Sequence, residues 1–67
     1  MIALTVNGEV RHFAPSLSVA DLLTGLELAG KRVAVERNGE IVPRSAHPTV
    51  RLADGDRLEI VVAVGGG

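Results

Sequence analysis

Asn-Gly occurs twice in this chain, at 7–8 and at 38–39, each time between runs of strand-forming residues. That pair most readily supplies the two consecutive positive φ angles of a tight hairpin turn. Residues 1–6 alternate larger apolar side chains (Ile2, Leu4, Val6) with smaller ones (Ala3, Thr5), and Glu9 to Phe13 returns as the partner strand. A second turn at Asn38-Gly39 joins a strand from Val33 to Arg37, with Val33 and Val35 on one face and Ala34 and Glu36 on the other, to a short extended piece at Ile41-Val42. Much of the chain is thereby committed to a sheet.

Between the two turns lies one helical pattern. Pro15-Ser16 ends the hairpin, and Ser18 is placed to accept from an exposed first-turn amide, with Asp21 favouring the positive helix end. Val19, Leu22, Leu23 and Leu26 form a stripe at i, i+3, i+4 and i+7. Gly25 costs a helix interior about 1 kcal/mol, so the helix is expected to end near Leu26 or Leu28, with Gly30 beyond. Pro43 to Leu52 reads as irregular, with room for a helical turn or a short strand, and Asp54-Gly55-Asp56 as a turn into the last strand.

That last strand, Leu58 to Val64, runs directly into Gly65-Gly66-Gly67. Glycine loses the most backbone entropy on ordering, so these three residues are expected as a loose tail carrying a carboxylate at its tip. The first and last strands are the most apolar and are expected side by side at the centre. The long connection between them allows a parallel pairing. One helix over one face of a four- or five-stranded mixed sheet makes an α+β roll.

A chain of 67 residues without cysteine has neither a disulfide staple nor thiolate chemistry, and its 46% hydrophobic content must supply the core. Phe13 is the only aromatic residue, seven basic residues offset eight acidic ones, and no basic stripe exists. Nucleic acid and membrane are therefore poor partners, and a cytoplasmic location is the expectation. Phosphate-loop, dinucleotide, zinc-protease and nucleophile-elbow motifs are missing, and His12 and His47 lack a spaced partner histidine. Both read as surface or turn residues, Asp54 and Asp56 as turn formers, and Arg44 as a solvated loop arginine. A core this small leaves little room for an enclosed substrate pocket.

Period two sends Val61, Ala63, Ala3 and Ala34 to the sheet face away from the helix, opposite Leu58, Ile60, Val62, Ile2, Leu4, Val33 and Val35. Small apolar residues on a face that water usually covers mark those four as a candidate docking patch.

The hairpin, Ser18-Val19-Ala20-Asp21-Leu22-Leu23, the stretch from Val33 to Arg44, Leu52-Ala53-Asp54-Gly55-Asp56 and the glycine end together resemble the ThiS family. These are the sulfur carriers of thiamine biosynthesis, with a β-grasp (ubiquitin-like) fold. The resemblance runs the whole length of the chain. It departs only in ending on three glycines where a terminal pair is the minimum. It implies a β-grasp domain over 1–64 and a flexible tail over 65–67. It further implies that Gly67 is adenylated and converted to a thiocarboxylate, with Gly65 and Gly66 threading into a partner.

The implied partners are a ThiF-like adenylyltransferase using ATP and Mg²⁺, the thiazole synthase ThiG, and a sulfur donor such as a cysteine desulfurase. The chain itself would bind no cofactor or metal and would be no enzyme. Two alternatives stay open. One is a MoaD-like carrier for molybdopterin synthesis, although such proteins are usually longer and tend to carry prolines before the glycines, where this chain has none after Pro48. The other is a ubiquitin-like module that binds or conjugates to proteins.

Overall fold

The structure is a computed structural model and describes residues 1–63, so the expectations for Val64 as a strand residue and for Gly65–Gly67 as a tail lie outside the described residues. Five strands and one helix follow in the order β1 (Ile2–Val6), β2 (Glu9–Phe13), α1 (Val19–Gly25), β3 (Val33–Arg37), β4 (Glu40–Val42) and β5 (Arg57–Val62), with a short 3₁₀ turn at Arg44–Ala46 before β5. They form one mixed sheet in the order β2-β1-β5-β3-β4. This is the β-grasp arrangement, with β1 and β5 parallel at its centre.

Both Asn-Gly turns take the anticipated backbone: Asn7 and Gly8 have φ of 49° and 84°, Asn38 and Gly39 of 51° and 85°. The asparagine side chains have a second task. Asn7 Oδ1 accepts from the Ile60 amide at 2.7 Å, and its Nδ2 donates to the Ile60 carbonyl at 3.1 Å. From the other side, Asn38 Oδ1 accepts from the Arg57 amide at 2.9 Å. Each turn thus pins the central strand as well as reversing its own hairpin.

Ser18 and Asp21 form a reciprocal capping box, each side chain accepting from the other's amide at 3.0 Å. The Ser18 amide is the chief cause holding the Asp21 carboxyl below the usual carboxylate range. Downstream, Leu26 is the cap, Glu27 turns left-handed (φ 62°) and the Leu28 amide donates to the Leu23 carbonyl at 2.8 Å. That bond is the signature of a helix closed by a left-handed residue, a place where glycine is usual.

The stripe packs as its spacing predicts: Val19, Leu22 and Leu23 are buried and Leu26 packs partly against them. Facing them are Leu4, Val35, Leu58 and Ile60 from the three central strands. Ile2 and Val33 are half-buried, and Val62, expected inward, is 38% exposed at the end of β5. The irregular stretch after β4 runs back along the start of the helix: Arg51 bridges Ser18, and the Leu52 amide donates to the Leu17 carbonyl at 2.8 Å. No helix among the described residues is long and apolar enough to cross a membrane.

Candidate functional site

β5 carries the chain from the middle of the sheet toward the glycines. Its last pairs are Val61 with Ala34 and Val62 with Val33, and one step further the Ala63 amide still donates to the Arg32 carbonyl at 2.9 Å. The root of the glycine segment is therefore fixed to β3, beside the connection that follows α1. Gly65, Gly66 and Gly67 themselves lie outside the described residues.

The sheet face away from the helix is built by the register. Val61 lies directly opposite Ala34, and the next row aligns Glu59 with Glu36 and Glu36 with Ile41. Val61 and Ile41 are 64% and 66% exposed, and Ala34 and Ala63 are exposed as well. Three of the four residues singled out from the sequence are thus brought together. Ala3 is not among them. Thr5 pairs with Arg57 in the parallel ladder, so Ala3, two residues earlier, and Val61, four residues later, stand about 20 Å apart along the strands. Ala3 sits at the far end of the sheet, where its amide donates to Asp54 Oδ1 at 2.7 Å and its carbonyl accepts from Gly55 at 2.8 Å.

Sequence reasoning missed Ile41 as a member of this patch, although the signal was present. A two-residue Asn38-Gly39 turn fixes Arg37 opposite Glu40 and hence Glu36 opposite Ile41, which puts Ile41 on the outer face. By the same logic Asn7-Gly8 puts Val10 opposite Thr5, also outward and 64% exposed, toward the other edge. The Glu59–Glu36 pair is a second feature of the patch. Two carboxylates directly opposite on neighbouring strands cost stability. Among the described residues the ion pairs are Arg11–Glu9 and Arg37–Asp56, so neither glutamate is neutralised by one.

Other polar residues prove structural. Asp56 is a buried anchor as well as a turn former, gathering Arg37, Asn38 and the Ala53 amide at 2.8 to 3.0 Å. His47 is buried rather than on the surface, closing the 3₁₀ turn with Nε2 3.2 Å from the Val42 carbonyl. His12 and Arg44 are exposed. The described residues contain no group of three or more His, Cys, Asp or Glu side chains able to hold a metal ion.

The model of the ThiS family matches residues 4–67. The chain belongs to the ThiS family. The sulfur carrier protein ThiS of Bacillus subtilis is 42% identical over 65 residues, a match covering 96% of this chain and 98% of that protein. The crystal structure of the thiamine biosynthesis protein (ThiS) from Geobacter metallireducens superposes with a TM-score of 0.83 at 40% identity, covering 98% of this chain and 100% of that one. A thiazole synthase from Paramagnetospirillum magneticum is 52% identical over 64 residues, and one from Magnetococcus marinus 39% identical over 62. The match takes in 96% and 92% of this chain but spans only about a fifth of those two relatives, 20% and 19% of their lengths.

Proposed function

We propose that this ThiS family member is a sulfur carrier for the thiazole moiety of thiamine, with residues 1–64 as its folded body and 65–67 as the reactive tail. The observation that carries the reading is the extent of the family match, which runs through the glycines to Gly67. A carboxylate is a poor electrophile because a nucleophile must expel oxide from it. A ThiF-like adenylyltransferase, using ATP and Mg²⁺, joins the Gly67 carboxylate to AMP and releases pyrophosphate. The persulfide of a donor such as a cysteine desulfurase then displaces AMP to give an acyl disulfide. A second thiol cleaves the S–S bond, leaving the thiocarboxylate and a disulfide between the two thiols. The partner supplies the transition-state electrostatics. The chain is a co-substrate, and the ATP-dependent step implies a cytoplasmic site of action.

Each tail position has a physical rationale. Gly67 presents the reacting carbon without a Cβ beside it, and Gly65 and Gly66 keep the thread narrow enough to enter a cleft. Ordering such a thread costs entropy, so affinity has to come from the folded body. The outer face around Val61, Ala34, Ala63 and Ile41 is the surface proposed for that contact. Thiazole synthase as the acceptor is supported by the two relatives of that name, each of which includes a stretch similar to this chain.

Intact mass after incubation with the adenylating partner, ATP and a sulfur donor tests the reading. Exchange of one oxygen for sulfur is the expected product. Deleting Gly66 and Gly67 should abolish it and leave the melting temperature unchanged, since terminal glycines bury little. Sulfur loading that survives the deletion, or a stable lysine conjugate as the main product, would rule the mechanism out.

A further inference from the structure

On the helix side of the sheet, the last turn of α1, the 28–33 connection and the stretch after β4 surround an open depression of about 320 Å³. Its floor is apolar, from Leu23, Leu28 and Val33, and its rim carries Lys31, Arg32 and Arg44, all exposed. Among the described residues no aspartate or glutamate lines it. Among the described residues none of the three cations takes part in an ion pair. In a chain whose net charge is −1, three of seven basic residues therefore gather on one concavity. Along the chain Asp21 adjoins Ala20 and Glu27 adjoins Leu28, but neither is among the residues that line the depression.

The location gives this charge a use. Arg32 is the residue whose carbonyl holds the Ala63 amide, so the rim lies beside the root of the glycine segment. Gly67 lies four residues beyond Ala63, a span of at most about 14 Å. A protein that accepts the glycines must come within reach of the rim.

We propose that the depression docks an acidic segment of the protein that accepts the glycines. An aliphatic side chain rests on Leu23, Leu28 and Val33, and flanking carboxylates meet Lys31, Arg32 and Arg44. Only the identity of the protein bringing the segment rests on the sulfur-carrier reading; the segment's chemistry comes from the depression. A peptide fits better than a nucleic acid because the floor is aliphatic and no aromatic side chain lines it for base stacking. Exposed ion pairs are individually weak, so this contact orients the body and speeds encounter rather than setting affinity.

The test is an NMR titration of the full chain with an acetylated Glu-Leu-Glu-Glu peptide, with Gln-Leu-Gln-Gln as the neutral control. Amide shifts should concentrate in 28–33 and 44–48, fade with added salt, and be absent with the neutral peptide. The Lys31→Glu/Arg44→Glu variant should bind the acidic peptide about tenfold or more weakly. Unchanged amide positions in β1 and β2 will show that the variant is folded. Equal response to the neutral peptide, shifts centred instead on Arg11, Arg51 or Arg57, or stronger binding of inorganic phosphate or a single-stranded oligonucleotide would overturn the proposal. So would peptide-free self-association that moves the same amides. Because sulfur loading is not the readout, failure of the docking and failure of the carrier chemistry are separable.

Discussion

Asp56 shows how much one side chain can organise. Burial by itself would raise its carboxyl pKa, but the Ala53 amide, the Asn38 side chain and the Arg37 guanidinium outweigh burial and hold it below the ordinary value of 3.8. A depressed carboxylate stabilises the fold at pH above its unfolded value, and that contribution is lost as pH falls through the folded one. Asp56→Asn should therefore cost about 1–3 kcal/mol at neutral pH, since Arg37 and two amides lose their anion. The gap between variant and wild type should narrow below pH 4, and thermal melts at several pH values measure it. A gap that stayed constant with pH would mean the charge is irrelevant. The sequence reading recognised this residue as part of a turn and no more. A turn motif reports its own backbone, whereas the partners Arg37 and Asn38 are brought to it by a strand pairing that local sequence does not encode. The same holds for Asn7, legible as a turn former and illegible as a clamp on β5. His47 is legible as a turn residue but not as a buried one, because its neighbours Ala46 and Pro48 give no sign that the chain will fold back over the helix start.

At the scale of elements the sequence carries more. The apolar stripe located α1, Ser18 marked its cap, and the Asn-Gly pairs implied both hairpin registers. Periodicity and turn chemistry are local, so they survive without knowledge of the tertiary fold. The helix end was less legible, because its two determinants oppose expectation. Gly25 sits in the last helical turn without a positive φ, and a Cβ there would meet nothing within 4 Å. Glu27, by contrast, occupies the left-handed position that suits glycine. Gly25→Ala should accordingly stabilise the protein by about 0.5–1 kcal/mol, through reduced freedom of the unfolded chain. A raised denaturant midpoint with unchanged slope is the expected record. A lowered midpoint would show that the backbone at Gly25 is strained in a way the open space around it does not reveal.

Across the whole molecule the sheet separates two surfaces: the cationic depression on the helix side and the Val61–Ala34–Ile41 patch behind. Parity alone identified Val61, Ala34 and Ala63, but it could not tell that Ala3 lies at the other end, because the offset between β1 and β5 depends on a parallel pairing fixed by tertiary packing. If the patch docks the adenylating partner, a charge at its centre should break the contact without unfolding the body. Val61 is 64% exposed, so Val61→Asp should cost less than about 1 kcal/mol of stability, chiefly through strand preference. It also adds a third carboxylate to a face that already holds Glu59 and Glu36, and buries that charge against the partner. The expected loss is about tenfold or more in affinity, the scale of a central interface residue, read by calorimetry with the partner and by the rate of sulfur loading. Val10→Asp, equally exposed on the outer face but toward the opposite edge, is the matched control and should bind as the wild type does. Wild-type binding and loading by a folded Val61→Asp variant would remove the patch from the mechanism, and equal losses in both variants would extend the interface across the entire sheet.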